Sequence, residues 1–336
     1  MSLSPSEVEW LKPDAPIDPL GYEYYLRGVD LHSRSDFPMA IKMLEKSIEI
    51  DPNYALTWAQ LGRSYTADAS FHFGGREQYH KAQAAYEKPL SLHPAQIETQ
   101  IYMANFLTDT GEVERAVPWL RQALKTNPNH PEAHWELGYA YRFGGTLKES
   151  VAECEHARQL DPGVKLTSSA LNSYLYLGQY DKFLQSLPED SHSGFILFYR
   201  GFAEYYKGKR EQAAEDFDRA FELDPSLYTQ VGAALSNDVR GHRSKGLGIL
   251  RAAESRVEER GVGDPEAIYK IAEAYAILDD KPSALHALRH SIESGFFSYP
   301  YFMTDPLLDN VRKETEFTAL MEVARRRHQA FKSIFF

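Results

Sequence analysis

Glycine pairs are the first residues in this sequence whose type and spacing could do chemistry, because glycine-rich turns bind phosphate through backbone amides. The stretches 246–248 and 261–263 each read Gly-x-Gly but lack the third glycine and the preceding strand of a dinucleotide site. The pairs at 74–75 and 144–145 fall between predicted helices, where glycine usually serves a turn. The sequence has no zinc-protease, P-loop or kinase catalytic-loop pattern. We therefore predict no catalytic residues.

Histidine and cysteine could carry chemistry as metal ligands or nucleophiles. The twelve histidines are scattered; His130 and His134 lie four residues apart, but without cysteine or carboxylate partners at metal-binding spacing. The single cysteine, Cys154, excludes an intrachain disulfide, and it stands where the surrounding pattern places a buried apolar side chain. We predict no metal site, no cofactor and no enzymatic activity.

The charge balance bears on the kind of partner. There are 37 Lys and Arg residues against 48 Asp and Glu residues, a net charge of −11. Proteins that bind nucleic acid directly usually present a basic surface, so we predict no nucleic-acid partner. The one dense basic run, 325–328, is interpreted as the solvated face of a C-terminal helix.

Membrane and targeting signals are not found. No apolar stretch reaches the roughly 18 residues that a transmembrane helix requires. Residues 1–19 are polar and proline-rich, without the apolar core of a signal peptide. We expect a cytoplasmic protein, or a periplasmic one if the chain follows a membrane helix in a longer protein.

Five prolines show how the chain is organised, since each of the five follows an amphipathic run. They stand at Pro52, Pro94, Pro128, Pro162 and Pro225. The interval is 34 residues from Pro94 to Pro128 and again from Pro128 to Pro162. The first interval, 42 residues, is one unit plus a loop insertion, and the last, 63 residues, is two units of which one is shortened. A fixed period of this length, built from two helices, indicates a helical repeat.

The positions inside the units agree with that period. In the second unit they are Trp58, Leu61, Gly62, Tyr65, Ala82 and Tyr86. Small residues let two antiparallel helices approach closely, while large residues fill the space between them. This pattern resembles the tetratricopeptide repeat (TPR). The resemblance implies an all-α fold, a right-handed α-α superhelix of about eight helical hairpins with a C-terminal capping helix.

The predicted organisation is a lead-in, an array and a closing segment. Residues 1–19 form the extended lead-in, and residues 294–336 form an irregular aromatic segment followed by a capping helix from about Glu314. The eight units lie near 21–54, 55–96, 97–130, 131–164, 165–193, 194–227, 228–263 and 265–293. Units five and seven are irregular, the fifth being stopped early at Pro188 and the seventh having Gly261 as a predicted C-cap.

The two ends of the chain carry a narrower resemblance. The stretches that carry it are 22–28, 40–41 and 51–55 at the start and 295–297, 299–302, 305–309, Phe317 and 325–328 at the end. They resemble the TPR arrays of bacterial multidomain regulators, in which the array follows a serine/threonine kinase, nucleotide cyclase or winged-helix domain. No such effector domain is present here, so this resemblance suits a piece cut from a longer protein.

The concave face is where a partner would bind, because the first helix of each TPR hairpin lines that face. Projecting this register predicts eight ligand-groove candidates in units four and six: Trp135, Tyr139, Arg142, Phe143, Phe195, Phe198, Phe202 and Tyr205. An aromatic lining with one arginine suits a peptide that carries apolar anchors and a carboxylate. The alternative is that the shortened fifth unit distorts the superhelix and the aromatic side chains pack against it.

A chaperone-tail adaptor is not indicated, because the Lys/Asn/Arg clamp of such domains is not matched. The equivalent positions of the first three units hold Tyr25, Val29, Ala59, Arg63, Ile101 and Asn105. We predict a non-enzymatic protein–protein interaction scaffold that binds a peptide or protein segment in the concave groove. The alternative is a sensory or regulatory TPR region of a larger bacterial signalling protein, a kinase, cyclase or transcription regulator.

Overall fold

Helices and short turns make up the described chain. The computed structural model describes residues 16–92, 96–162, 171–188, 191–261 and 263–336, and within these ranges the chain forms eighteen α-helices and no strands. The predicted lead-in, residues 1–19, lies mostly outside these ranges, as does the start of the fifth unit. The predicted all-α superhelix of paired helices is confirmed.

Sixteen helices pair into eight antiparallel hairpins, units one to eight. They are α1 (Pro19–Ser33) with α2 (Phe37–Ile50), α3 (Ala55–Phe71) with α4 (Gly75–Leu92), α5 (Ile97–Asp109) with α6 (Val113–Thr126), α7 (Pro131–Phe143) with α8 (Leu147–Leu160), α9 (Asn172–Tyr176) with α10 (Tyr180–Ser186), α11 (Gly194–Tyr206) with α12 (Arg210–Leu223), α13 (Leu227–Val239) with α14 (Arg243–Arg260), and α15 (Pro265–Ile277) with α16 (Lys281–Ser294). Closing elements follow: α17 (Tyr299–Thr304), a 3-10 turn (Pro306–Leu308) and α18 (Thr315–Phe335).

Glycine in the first helix of a unit permits close contact with the second helix. A Cβ atom on Gly62 would lie 2.7 Å from Cε1 of Tyr86, and one on Gly138 would lie 2.4 Å from Sγ of Cys154. Real Cβ atoms do not approach so closely, so any larger residue would push the two helices apart. The small and large positions of the repeat therefore contact each other, as the pattern predicted.

The second unit accommodates its extra residues in its helices. The interval of 42 residues predicted a loop insertion, which is wrong: α3 has 17 residues and α4 has 18, joined by a short turn. The turn uses left-handed backbone at Phe73 (φ 59°) and Gly75 (φ 59°). The Gln78 side chain donates a hydrogen bond to Asp68 Oδ2 (3.0 Å) and ties the lengthened ends together. The described helices of the fifth unit have 5 and 7 residues.

The superhelix turns far enough for the second unit to contact the seventh. Helix α3 packs against α13 and α4 packs against α14. The Phe71 ring lies 5.5 Å from that of Phe195 and 5.9 Å from that of Tyr228, and the Arg256 guanidinium lies 4.5 Å from the centre of the Phe73 ring. The concave face is consequently enclosed on several sides instead of forming an open groove.

The C-terminal segment packs inside this closed superhelix. Phe296, Phe297 and Phe302 are fully buried, and the Tyr301 ring stacks on Tyr176 with 3.9 Å between ring centres. The amide of Phe297 donates to the Phe143 carbonyl at 3.2 Å. The aromatic closing segment is therefore part of the core.

The basic run 325–328 differs from its prediction as a solvated face. The Arg327 guanidinium lies 4.2 Å from the centre of the Phe297 ring and donates to the Ile292 carbonyl. His328 Nδ1 lies 2.7 Å from the Gly144 carbonyl oxygen. Arg327 and His328 thus attach α18 to units four and eight, because the closing helix lies across units that are distant in the chain. None of the helices in the described ranges is both long and apolar enough to span a membrane.

Candidate functional site

A cavity of about 960 Å³ lies between the two sides of the closed superhelix. One wall comes from the first helices of units one to four, which place residues of α1, α3, α5 and α7 toward the cavity. The opposite wall comes from Pro188 and residues 191–195, from Leu223, Asp224 and Tyr228, and from Asp264, just before α15. Space of this size, enclosed by several elements, is typical of a binding site.

Three of the eight sequence-predicted groove residues line this cavity. Trp135 and Tyr139 do so from α7, both nearly buried, and Phe195 does so from the start of α11. The Phe195 ring meets Tyr228 edge to face at 5.1 Å between ring centres. These three aromatic residues form an apolar part of the cavity wall.

The other five candidates are packed in the core or lie away from the cavity wall. Phe143, Phe198 and Phe202 are completely buried, with Phe198 and Phe202 ring centres 4.8 Å apart. The Lys270 ammonium of α15 lies 4.9 Å from the centre of the Phe202 ring. Tyr205 is also buried and does not line the cavity. Helix α15 thus contacts this aromatic stripe through Lys270, which favours the packing interpretation for these residues.

Arg142, the fifth of these candidates, forms a buried ion pair. Its Nη2 atom lies 2.7 Å from Glu266 Oε2, and neither side chain has any exposed surface. Glu266 also accepts a hydrogen bond from the Tyr176 hydroxyl. The charge of Arg142 is therefore neutralised by Glu266, and the carboxylate-binding role that the sequence suggested for it has no support in this geometry.

Carboxyl groups with hydrogen-bond donors mark the polar wall. The Tyr139 hydroxyl donates to Asp109 Oδ1 (2.6 Å), and the Asn105 amide donates to Glu136 Oε2 (3.0 Å). Asp109 and Glu136 belong to the neighbouring first helices α5 and α7. These bonds hold two carboxyl groups in defined orientations at the cavity.

Asp264 adds a third carboxyl group from the opposite wall. It caps α15, accepting from the amides of Glu266 (3.0 Å) and Ala267 (3.2 Å), and also from the Tyr228 hydroxyl (2.7 Å). These bonds only partly offset the cost of its burial.

Burial and neighbouring negative charges raise the pKa of all three carboxyl groups. Desolvation raises the pKa of Glu136 to about 7, with the nearby Glu132 charge adding to the effect. Desolvation, then the Glu266 charge, raise the pKa of Asp264 to about 6. The pKa of Asp109 also lies well above its usual range, because of burial first and the Asp264 charge second. A negative charge at this wall is therefore costly while no cation lies beside it.

Two basic side chains of the wall do little to offset the negative charge of these carboxyl groups. Arg63 lies 3.5 Å from Glu132 and packs over the Tyr102 ring at 4.8 Å, so its charge is directed to Glu132. Burial lowers the pKa of His32 to about 3, and its Nδ1 lies 3.1 Å from Ser64 Oγ. His32 is consequently neutral at ordinary pH.

Gln60 contributes a hydrogen-bonding group to the same cavity wall. It lies on α3, only 3% exposed, and its Nε2 donor has no hydrogen-bond partner among the described residues. A buried amide without a partner is uncommon and costs free energy. This side chain and the carboxyl groups Asp109, Glu136 and Asp264 were missed as site residues by the sequence reasoning, although polar residues on otherwise apolar first helices are a signal that could have found them.

A separate group of ligand-type side chains lies away from the cavity. Within the described ranges, one atom each from Glu254, Glu258 and His286 lie within 4.8 Å of one another, and all three residues are partly or largely exposed. His286 Nε2 lies 3.2 Å from Glu258 Oε1, and the Tyr275 hydroxyl donates to Glu254. We interpret this group as surface ion pairing between α14 and α16.

The geometry defines the class of protein: a closed α-helical repeat solenoid with a cavity on its concave face. Comparison with known proteins gives the kind of repeat. Residues 104–142 match a family described as TPR repeat, and residues 194–227 match the tetratricopeptide repeat itself. These two segments of the chain therefore match tetratricopeptide repeats, in agreement with the paired-helix fold.

Two relatives are similar in sequence to much of this chain. The TPR repeat-containing protein YpiA of Bacillus subtilis (strain 168) is 22% identical over 293 residues, covering 77% of this chain and 67% of the relative. The DnaJ homolog subfamily C member 7 homolog of Dictyostelium discoideum is 24% identical, covering 63% of this chain and 42% of the relative. This chain therefore spans less than half of the second protein.

A solved structure has the same fold. The crystal structure of the APC/C hetero-tetramer Cut9–Hcn1 matches with a TM-score of 0.56 and 16% identity, covering 90% of this chain and 55% of that one. Identity this low makes the match evidence of the fold alone.

Proposed function

We propose that this chain binds an extended segment of another protein inside the cavity between units one to four and units six and seven. The observation that carries this proposal is the cavity of about 960 Å³ on the concave side. The aromatic residues Trp135, Tyr139 and Phe195 supply apolar contact surface there. Aromatic side chains in enclosed sites are the usual anchors of peptide recognition.

The proposal is supported by what the wall contains. A binding site for a peptide needs apolar surface together with a few oriented polar groups for the peptide backbone and side chains. The wall has both, since the aromatic residues stand beside the hydrogen-bonded carboxyl groups of Asp109 and Glu136. At this wall His32 Nδ1 lies 3.1 Å from Ser64 Oγ, but Ser64 is completely buried and does not line the cavity, which suits binding without catalysis.

The test uses a variant in which an added side chain occupies part of the cavity. Ala67 lines it from α3, so Ala67→Trp adds a large ring to the space without removing a hydrogen bond. Ala84 is exposed on the outer helix α4, and Ala84→Trp is the matched control. Peptides selected against the whole chain from a displayed random library are labelled, and their dissociation constants are measured by fluorescence anisotropy.

We expect Ala67→Trp to weaken peptide binding at least about tenfold, a change of about 1.4 kcal/mol, while Ala84→Trp leaves it unchanged. Equal binding by wild type and Ala67→Trp contradicts the proposed site. Selection that yields no binding peptide contradicts the proposed function.

The second candidate function is regulation of an effector domain in a longer protein. It is supported by the resemblance of both ends of the chain to bacterial regulators and by the partial coverage of the relatives, 67% and 42% of their lengths. Reading the genomic frame around this sequence tests it: an effector domain in the same frame supports regulation, and a stop codon directly before Met1 contradicts it.

A further inference from the structure

We propose that the cavity selects its peptide through one basic side chain, a lysine or arginine, which Asp109 and Glu136 hold from α5 and α7 while Asp264 faces them. This inference rests on the proposed function, because it names the chemistry of the segment that the cavity accepts. It differs from the expectation, drawn from the sequence, that Arg142 binds a carboxylate of the peptide, since Arg142 pairs with Glu266.

The charges of the lining residues favour a cation. Six described lining residues are acidic and two are arginines. The acidic residues are Asp109, Glu132, Glu136, Asp161, Asp224 and Asp264. The two arginines already have acidic partners, Arg63 with Glu132 at 3.5 Å and Arg34 with Asp30 at 2.9 Å. A segment rich in Asp or Glu would be repelled, and a basic segment would be attracted.

The two carboxyl groups are fixed in place before a ligand arrives. Asp109 accepts from the Tyr139 hydroxyl and Glu136 accepts from the Asn105 amide. Orientation by neighbouring donors reduces the conformational entropy that binding must overcome. A guanidinium or ammonium group placed between them gains two charge-assisted hydrogen bonds in a site largely shielded from water.

Binding of a basic side chain at this site should be coupled to the release of protons. The carboxyl groups are costly to ionise, because burial is reinforced by the neighbouring charges of Glu132, Asp264 and Glu266 and only partly offset by Arg63 and Arg142. The hydroxyl groups of Tyr139 and Tyr228 face the same groups as donors. A bound cation favours the ionised form, so binding releases protons and weakens as the pH falls.

Gln60 provides the independent sign that the ligand is a peptide. Its Nε2 lacks a hydrogen-bond partner in the described chain, although the residue lines the cavity wall and is only 3% exposed. A peptide backbone supplies the carbonyl acceptor that this donor lacks. A basic side chain and a backbone carbonyl together describe a peptide segment better than a free amine.

The experiment uses the peptides selected against the whole wild-type chain. We expect a Lys or Arg to be enriched at one position, and its replacement by Gln to weaken binding at least about tenfold and by Glu still more. In Glu136→Gln and in Asp109→Asn the same Lys-to-Gln or Arg-to-Gln replacement should have little effect, because the acidic partner has been removed. Glu87→Gln, an exposed change on α4 that alters the net charge equally, is the matched control and should keep the full preference.

Two more measurements complete the test. The affinity of the basic peptide should fall between pH 8 and pH 5.5, whereas that of its Gln counterpart should not. N-acetyl-arginine amide, the basic side chain without a peptide, should bind much more weakly than the selected peptide. Circular dichroism on each variant establishes that it remains folded.

The outcomes separate the two proposals. Selected peptides without a basic preference overturn this inference and leave the proposed function standing. Tight binding of N-acetyl-arginine amide alone overturns the peptide assignment in favour of a small cation. Selection of no peptide at all overturns both.

Discussion

Arg142 of the fourth unit and Glu266 of the eighth unit form an ion pair with 2.7 Å between Nη2 and Oε2, and both side chains are completely buried. The two residues are 124 positions apart in the sequence. The pair connects α7 to α15 across the superhelix, and it neutralises the one arginine that the sequence assigned to the ligand.

Removing one partner of this pair should destabilise the protein strongly. Arg142→Met leaves the Glu266 carboxylate buried without its cation, which costs about 3–5 kcal/mol. Replacing both, as Arg142→Met with Glu266→Gln, should recover much of that loss. Urea unfolding followed by circular dichroism measures the effect. Arg34→Ala, which removes an exposed pair with Asp30, should cost no more than about 1 kcal/mol; an equally small effect of Arg142→Met would show that the buried pair does not hold the units together.

Close packing inside a unit gives the second prediction. Gly138→Ala places a Cβ atom 2.4 Å from Cys154 Sγ and 2.8 Å from the Ser150 carbonyl, so we expect a loss of about 1–3 kcal/mol. Gly248→Ala is the control, because Gly248 lies in helix α14 with no atom within 4 Å of the added methyl group. Helix propensity should make the control more stable by up to about 1 kcal/mol. Thermal unfolding of both variants measures this, and stabilisation by Gly138→Ala would contradict the close approach of α7 and α8.

The single thiol should be unreactive in the folded protein. Cys154 is fully buried between α7 and α8, and desolvation raises its pKa to about 12. Because the thiolate is the reactive form, iodoacetamide at pH 8 should leave Cys154 unmodified until denaturant is added. Mass spectrometry of the intact protein follows the reaction. Rapid modification without denaturant would mean that unit four opens readily.

The raised pKa of Glu136 can be tested without a ligand through the pH dependence of stability. The pKa of Glu136 is raised from 4.5 to about 7 on folding, so the folded chain binds this proton more tightly than the unfolded chain. Stability attributable to this group is therefore present below about pH 4.5 and is lost as the pH rises through about 7. Glu136→Gln should raise the free energy of unfolding by about 1–3 kcal/mol at pH 8 and change it little below pH 5.

Urea titrations at the two pH values make that comparison, with Glu87→Gln as the exposed control. A stabilised Glu136→Gln variant that also loses its preference for basic peptides would tie the unfavourable carboxyl group to binding. A variant that is destabilised at pH 8 would mean that Glu136 is ionised and well paired in the folded chain.

The sequence by itself determined the repeat and its local geometry. The 34-residue period, the proline after each hairpin, and pairs such as Gly62 with Tyr86 all act within one unit or between neighbouring units. Contacts over such short separations follow from helix periodicity and side-chain size, which the residues display directly. The short fifth unit and the closing helix after Glu314 were predicted on the same basis.

Only the tertiary structure decided which inner residues face the cavity. Small rotations between successive units add up until the second unit meets the seventh, and no local pattern records that sum. The closure lets α15 contact Phe202 through Lys270, while Trp135 and Tyr139 remain at the cavity wall. It also pairs Arg142 with Glu266, because the energy of a buried charge depends on what lies beside it in space and not in sequence.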